Sequence, residues 1–324
     1  MNKLSLTLIY FLLLSGICYI SSNAQTREES RQYRIQFGFQ ERVITTYKMT
    51  YATVIERTDE YNKSKLFNRV VEVYLSYYRP SGLVNGFAEV RTIYDSVIYR
   101  YDDGENQYKW SSASNVDKFP KCDDYLNLIF PILGRHYFTT ISPYFEVAKI
   151  ESNRLSEKRA DIDSIPNPFT KAVWEKANSD EMLIFYSDMN KNVIRGGRFA
   201  IDSTWKMPFE IPIEGIRYTC DTANVKFYLY DGKNFNIKAE MPTMYPNTND
   251  STCIMGISNL MSKVDSTSHS KGFWDVAVSP RGVLDKVIGQ FETVANYSIN
   301  SNKFTDKITT NIKYEFLNTV SWSD

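Results

Sequence analysis

Two histidines and four cysteines are all that this 324-residue chain offers of the side chains that most often carry nucleophilic and metal chemistry. A serine or cysteine nucleophile needs a general base, ordinarily a histidine held by a third group. His136 stands beside an apolar run and His269 in the polar stretch DSTSHSKG, each without a motif partner. Two isolated histidines do not make a catalytic zinc or copper site, and no CxxC spacing supplies a cysteine one. The G-x-S-x-G elbow of the hydrolases is missing. RGGR, Arg195 to Arg198, has a glycine pair but no phosphate-loop lysine or helix, and reads as a turn. No cofactor is expected.

Excess charge of one sign is lacking as well. Lys plus Arg and Asp plus Glu each number 38 and cancel. With no Lys/Arg run, nucleic acid is not the expected partner. Beyond the first twenty residues no run approaches 18 consecutive apolar residues, so no spanning helix is expected in the mature chain. The opening MNKLSLTLIYFLLLSGICYISSNAQ has one basic residue, Lys3, then an apolar run to about Ile20. Ser22 and Ala24 sit three and one residues before a cut at Gln25, the small residues a signal peptidase accepts. Residues 1–24 are therefore read as a signal peptide, the alternative being an uncleaved anchor. Ile17 before Cys18 argues against lipidation. The expected destination is the periplasm or cell envelope, or secretion.

Cleavage leaves Cys122, Cys220 and Cys253, an odd count that permits at most one bridge. Cys220 and Cys253 flank one predicted hairpin and are the candidate disulfide, with Cys122 free. The alternative is three buried thiols.

What the chain does have is alternation. In VKFYLYDGKNFNIKAEM, Val225, Phe227 and Leu229 share a face. After Asp231-Gly232, so do Phe235, Ile237, Ala239 and Met241. Asp-Gly between two period-2 runs is a hairpin signal. KFTDKITTNIKYEFLNTVSW puts Phe304, Ile308, Ile312, Tyr314, Phe316, Val320 and Trp322 on one side of a long strand, and its Thr and Ile content disfavours helix. RVITTYKMTYATVIER does the same with Val43, Thr45, Tyr47, Met49, Tyr51 and Ile55. YDDGENQY reads as a hairpin turn rather than a calcium loop. KRADIDSIPNP is a polar, proline-bearing linker, followed by a short helix from about Thr170 to Ala177.

One phrase occurs twice: Ser142-Pro143 and Ser279-Pro280, 137 residues apart, with apolar runs on both sides. Ile141 matches Val278, Tyr137 matches Trp274, Val147 matches Leu284 and Ile150 matches Val287. A second echo pairs GFAEV at Gly86 with NIKAEM at Asn236 at an unequal offset. Loop insertion in a duplicated fold gives unequal offsets, and so does chance.

The fold expected is mostly β, with two tandem curved antiparallel sheet units and a short linking helix. The boundaries are 25–160 for the N-terminal unit, 161–198 for the linker and 199–324 for the C-terminal unit. Gly134, Phe138 and Ser142, then Trp205 in DSTW, then Gly272, Trp274, Ser279, Gly282 and Val283 carry a resemblance to a family of exported, β-rich Gram-negative proteins known only as a domain of unknown function. Phe145 stands where that family has glycine, and Asp202-Ser203 replace its Gly-Asp before the tryptophan. The resemblance implies duplicated sheet units and export, and no activity.

The leading expectation is thus a non-catalytic envelope protein acting through protein contacts. The alternative is a carrier holding a lipid or other hydrophobic molecule in a curved sheet. Phe227, Leu229, Phe235, Ile237, Ile312, Tyr314 and Phe316 are the candidate ligand-facing or core residues. The tyrosines Tyr74, Tyr78, Tyr94, Tyr99 and Tyr101 fit strand packing before any groove. Asp123, Asp124, Asp161 and Asp163 fit solvated turns, so a carbohydrate-active enzyme, which needs two facing carboxylates, is the weaker alternative.

Overall fold

The computed structural model describes residues 32–35, 38–112, 136–144, 146–151, 193–194, 196–214, 216–230, 234–247, 263–299 and 301–322. Strands come first as β1 (Gln32–Tyr33), β2 (Val43–Asp59), β3 (Ser64–Tyr78), β4 (Ala88–Asp102) and β5 (Gln107–Ser111). They continue as β6 (His136–Ile141), β7 (Val147–Glu151), β8 (Phe199–Ala200), β9 (Thr204–Ile213) and β10 (Ile216–Tyr230). The last are β11 (Asn234–Pro246), β12 (Lys263–Val264), β13 (His269–Val278), β14 (Leu284–Ile299) and β15 (Asn302–Ser321).

Thirteen of these strands form one antiparallel sheet, ordered β7-β6-β4-β3-β2-β15-β14-β13-β11-β10-β9, with β5 on β4 and β12 on β14. β1 and β8 make a separate two-stranded piece. The all-β expectation holds among the described residues, but the two expected units are joined. β15 pairs with β2 from Phe304↔Asp59 to Ser321↔Val43, so strands from both halves share one sheet. The predicted helix at Thr170–Ala177 lies outside the described residues.

Why the sheet has two unlike faces follows from the alternation. Tyr47, Met49, Tyr51 and Ile55 on β2, Val71, Val73, Leu75 and Tyr77 on β3, and Ile308, Ile312 and Tyr314 on β15 are all buried. The alternate positions carry Lys48, Glu72, Lys307, Lys313 and Glu315. Register locks this in, since a one-residue slip would turn every apolar side chain to water. One such slip does occur. A bulge between Phe316 and Asn318 shifts the end of β15, so Val320 and Trp322, expected inside, are 55% and 51% exposed.

The sheet rolls up. Phe209 on β9 and Phe291 on β14 are four strands apart, about 19 Å if the sheet were flat, yet their ring centroids are 6.4 Å apart. Glu214, in the β9–β10 turn, ion-pairs with Arg69 on β3, although β10 and β3 are six strand spacings apart, about 29 Å flat. The N-terminal segment straps the rolled sheet. Tyr33 packs on Phe227 and Phe235, Gly38 N–H donates to the Gly282 carbonyl at 3.1 Å, and Phe39 stacks on Tyr77. The Arg79 guanidinium then holds the Phe39 carbonyl.

The doubled Ser-Pro phrase folds the same way twice. Ser142 N–H donates to Glu146 O, and Glu146 N–H donates back to Ser142 Oγ. Ser279 does likewise with Val283. In each hairpin the register also shifts just before the serine, at Thr140/Ile141 and at Ala277/Val278. The proline sets φ for the turn and the serine hydroxyl caps it. The second echo is out of step, because Ala88 pairs with Ile141 whereas Ala239 pairs with Trp274, the counterpart of Tyr137. What the two hairpins share is this turn chemistry.

Two strand glycines sit where a Cβ would collide with the packed interior. Trp274 is opposite Gly289, and a Cβ there would sit 2.4 Å from two of its ring carbons. At Gly272 a Cβ would meet the Gln290 carbonyl oxygen at 2.2 Å and Phe291 at 2.5 Å. Overpacking costs about 1–3 kcal/mol, occasionally more. Gly289→Ala is expected within that range, because an indole can shift. Gly272→Ala should exceed it, because backbone cannot rotate away. Urea midpoints of the two variants test this, and equal midpoints would refute the ordering.

Candidate functional site

Those sequence-predicted residues whose side chains are described lie on the inner face. Phe227 and Ile237 are fully buried, Ile312 and Tyr314 nearly so, and Phe235 and Phe316 pack against them. Leu229 pairs with Phe235 across the hairpin, while its side chain lies outside what is described. Phe227 and Phe235 join Tyr33 and Phe199 in one aromatic cluster. Tyr314 meets Trp274, and Phe316 meets Tyr47. Cross-strand pairing links the two groups through Ile237, Val276, Val287 and Tyr314. As described, these residues are core. The hairpin pairs β10 with β11 as far as Tyr230↔Asn234, and the turn read from Asp231-Gly232 lies outside the described residues. Cys220 is half-buried beside a bulge in β10, and burial pushes its thiol up. Cys122 and Cys253 lie outside the described residues, and so does their candidate pairing.

The inner face also holds charge. Arg57 donates from Nε and a terminal nitrogen to the two Asp306 oxygens at 2.9 and 2.8 Å, and Tyr297 donates to Asp306 at 3.1 Å. Arg69 and Glu214, 3% and 1% exposed, form the second pair. Glu214 adopts φ 51° at the first position of the two-residue turn between Ile213 and Ile216. A non-glycine residue is uncommon there, and the ion pair is what that conformation delivers. This cluster fastens the rolled edge to β3.

Two hollows lie on the outer face of β9 to β14. Adjoining hollows of about 770 Å³ and 470 Å³ share Asn224 and Glu240 in their walls. Two bulges, Cys220/Ala223 and Met241/Met244, kink the neighbouring strands at one end, and bulges bend and twist a strand where they occur. Asn224, Glu240, Phe273 and Gln290 are direct cross-strand partners and form one continuous rung. Beside it, Lys226 and Lys238 carry Asp202 and Glu240 at 2.7 Å each, and Lys271 carries Glu292 at 2.9 Å. Lys238 also lies over the Phe273 ring at 5.0 Å. Behind the rung, Asp275 accepts from Asn236 Nδ2 at 3.1 Å and Tyr228 OH at 3.3 Å. Burial pushes the Asp275 carboxyl up, against those two donors.

Sequence reading missed this face because it looks like the solvated half of each strand. The available signal was phase. Phe273 and Tyr228 are aromatic residues at positions where their strands otherwise show Lys, Asn and Asp. His269 is exposed at the start of β13, its ring nitrogen 3.1 Å from the Thr267 carbonyl. Among the described residues no group of three or more His, Cys, Asp or Glu side chains is placed to hold a metal ion.

No protein-family model matches the chain, and no curated protein does. Of solved structures, lipovitellin, studied for its lipid–protein interactions, aligns over 89% of this chain at 10% identity and TM-score 0.43. This chain spans 26% of the lipovitellin chain. OccK5 (OpdH) of Pseudomonas aeruginosa aligns over 85% of this chain and 98% of its own, at 9% identity and TM-score 0.27. Neisserial surface protein A aligns over 84% and 97%, at 5% identity and TM-score 0.18. Scores this low amount to a shared abundance of antiparallel strand. The residues themselves set this sheet apart from a membrane barrel, whose outward side chains form an apolar band. Here the outward side is charged on β2, β3, β10, β11, β14 and β15.

Proposed function

We propose that this is an exported, non-catalytic binding protein whose contact surface is the outer face of β9 to β14. The carrying observation is the contrast between faces: the inner side chains are packed together, while the outer face has open, chemically mixed hollows. The leader pattern in residues 1–24 supports export. A photo-crosslinking side chain at Asn224 or Lys226 is expected to give discrete adducts in cells making the protein. The same probe at Thr50, outward on β2, should give none. Equal labelling from both places, or none from either, would end this reading.

A second reading, carriage of an apolar molecule on the inner face, is favoured by one observation. The Tyr218 hydroxyl and Thr92 Oγ1 are fully buried on that face and have no hydrogen-bond partner among the described residues. An unpaired buried hydroxyl costs about 1–3 kcal/mol, and a bound molecule would supply the missing partner. Native mass spectrometry of protein taken from its own envelope separates the two readings. A retained acyl compound favours carriage, and its absence removes it.

A further inference from the structure

We propose that the outer-face hollow is a site for an uncharged oligosaccharide. The inference rests on the reading of this face as the contact surface and names what it contacts. The rung Asn224–Glu240–Phe273–Gln290 crosses four strands, about 14 Å at the usual strand spacing, which suits an extended chain of sugar rings. Its polar members are planar two-atom groups. An amide presents a donor and an acceptor side by side, and a carboxylate presents two acceptors, the geometry that grips neighbouring hydroxyls. Phe273, half-buried among them with Lys238 over its ring at 5.0 Å, offers its remaining exposed ring surface to the C–H face of a sugar ring.

Charge decides between ligand classes. Lys206, Lys226, Lys238 and Lys271 line the hollows against Asp202, Glu240 and Glu292, and each of the three acids has its own lysine partner, so little net charge of either sign is on offer. A polyanion or polycation would have to break those pairs and would leave one sign uncompensated. An uncharged polyol uses both signs as hydrogen-bond donors and acceptors. These pairs are exposed, so re-aiming them costs little. The neighbouring positions on the same face are firm by contrast. Asn236, 6% exposed, and Asp275 hold the Tyr228 hydroxyl, and among the described residues the Asn236 Oδ1 has no partner.

Calorimetry of the purified mature protein with maltopentaose, cellopentaose and chitopentaose, and with polygalacturonate as the charged control, tests the proposal. At least one neutral pentasaccharide should bind and the polyanion should not. Phe273→Ala should weaken binding about tenfold, and Glu240→Gln by a smaller factor, with thermal midpoints unchanged. No neutral sugar binding, tighter binding of the polyanion, or an undiminished Phe273→Ala would overturn it. Should crosslinks still map to Asn224 and Lys226 in that event, the contact surface stands and only the sugar assignment falls. Cleavage of the pentasaccharide by the wild type would retain the ligand class and overturn the non-catalytic reading.

Discussion

Arg69→Met should lower the stability of the fold by about 3–5 kcal/mol, the usual consequence of removing one member of a buried ion pair. Methionine fills much of the same volume, so the loss comes from charge rather than from a cavity. Glu214, 1% exposed, would stay buried and lose the Arg69 charge it faces. It cannot swing out to water easily, since its backbone is fixed at φ 51° in a two-residue turn whose neighbours Ile213 and Ile216 are fully buried. The single variant Glu214→Gln should also be costly, because it removes the carboxylate that pairs with Arg69 while the guanidinium stays buried. The double variant removes both charges, and should recover about 2 kcal/mol relative to the sum of the singles. Urea unfolding followed by tryptophan fluorescence measures all three. Strict additivity, or a loss below about 1 kcal/mol for Arg69→Met, would mean that the pair does not fasten the rolled sheet.

That clasp also marks the limit of what the sequence discloses. Alternation of side chains identified β2, β10, β11 and β15 and their buried faces, because period-2 burial is a local property. Nothing local connects residue 69 with residue 214. Their contact depends on the sheet rolling through six strand spacings, the sum of the twist of each strand pair. Bulges are equally hidden. A single extra residue near Leu317 turned Val320 and Trp322 outward, although both were in phase with Tyr314. The Ser-Pro turns were legible because proline and serine act on their own backbone. The outer hollow was half legible, through Phe273 and Tyr228 appearing on the polar phase. Its depth comes from two bulges in different strand pairs, which no single stretch of sequence announces. The same one-face logic made Phe227, Ile237 and Tyr314 candidates for ligand contact or core, and the structure buries all three.

High pH should unfold this protein abruptly. Burial raises the phenol pKa values of Tyr47, Tyr51, Tyr94, Tyr218 and Tyr297 far above their ordinary value. Neighbouring groups add to this: Asp285 beside Tyr47, Glu214 near Tyr51, Tyr137 and Tyr77 near Tyr94, and Asp306 near both Tyr218 and Tyr297. A pKa raised in the folded state favours the protonated native form. The stability it gives is therefore intact below the unfolded phenol pKa, near 10, and drains away as pH climbs toward the folded value. Each such tyrosine forfeits about 1.4 kcal/mol per pH unit in that interval, and five together about 7. A domain with roughly 5–15 kcal/mol of stability exhausts it within one to two pH units. Phenolate absorbance should accordingly rise in two stages. Phenols open to water ionise first, and a steeper second rise should coincide with loss of the sheet's circular dichroism, between about pH 11 and 12. Tyr218→Phe removes one of the five protons at a site where the hydroxyl has no partner among the described residues, so it should move the second stage to higher pH without weakening the protein at pH 7. A single smooth phenol titration with the sheet intact would show that water reaches the inner face, and would favour the carrier reading over a filled core.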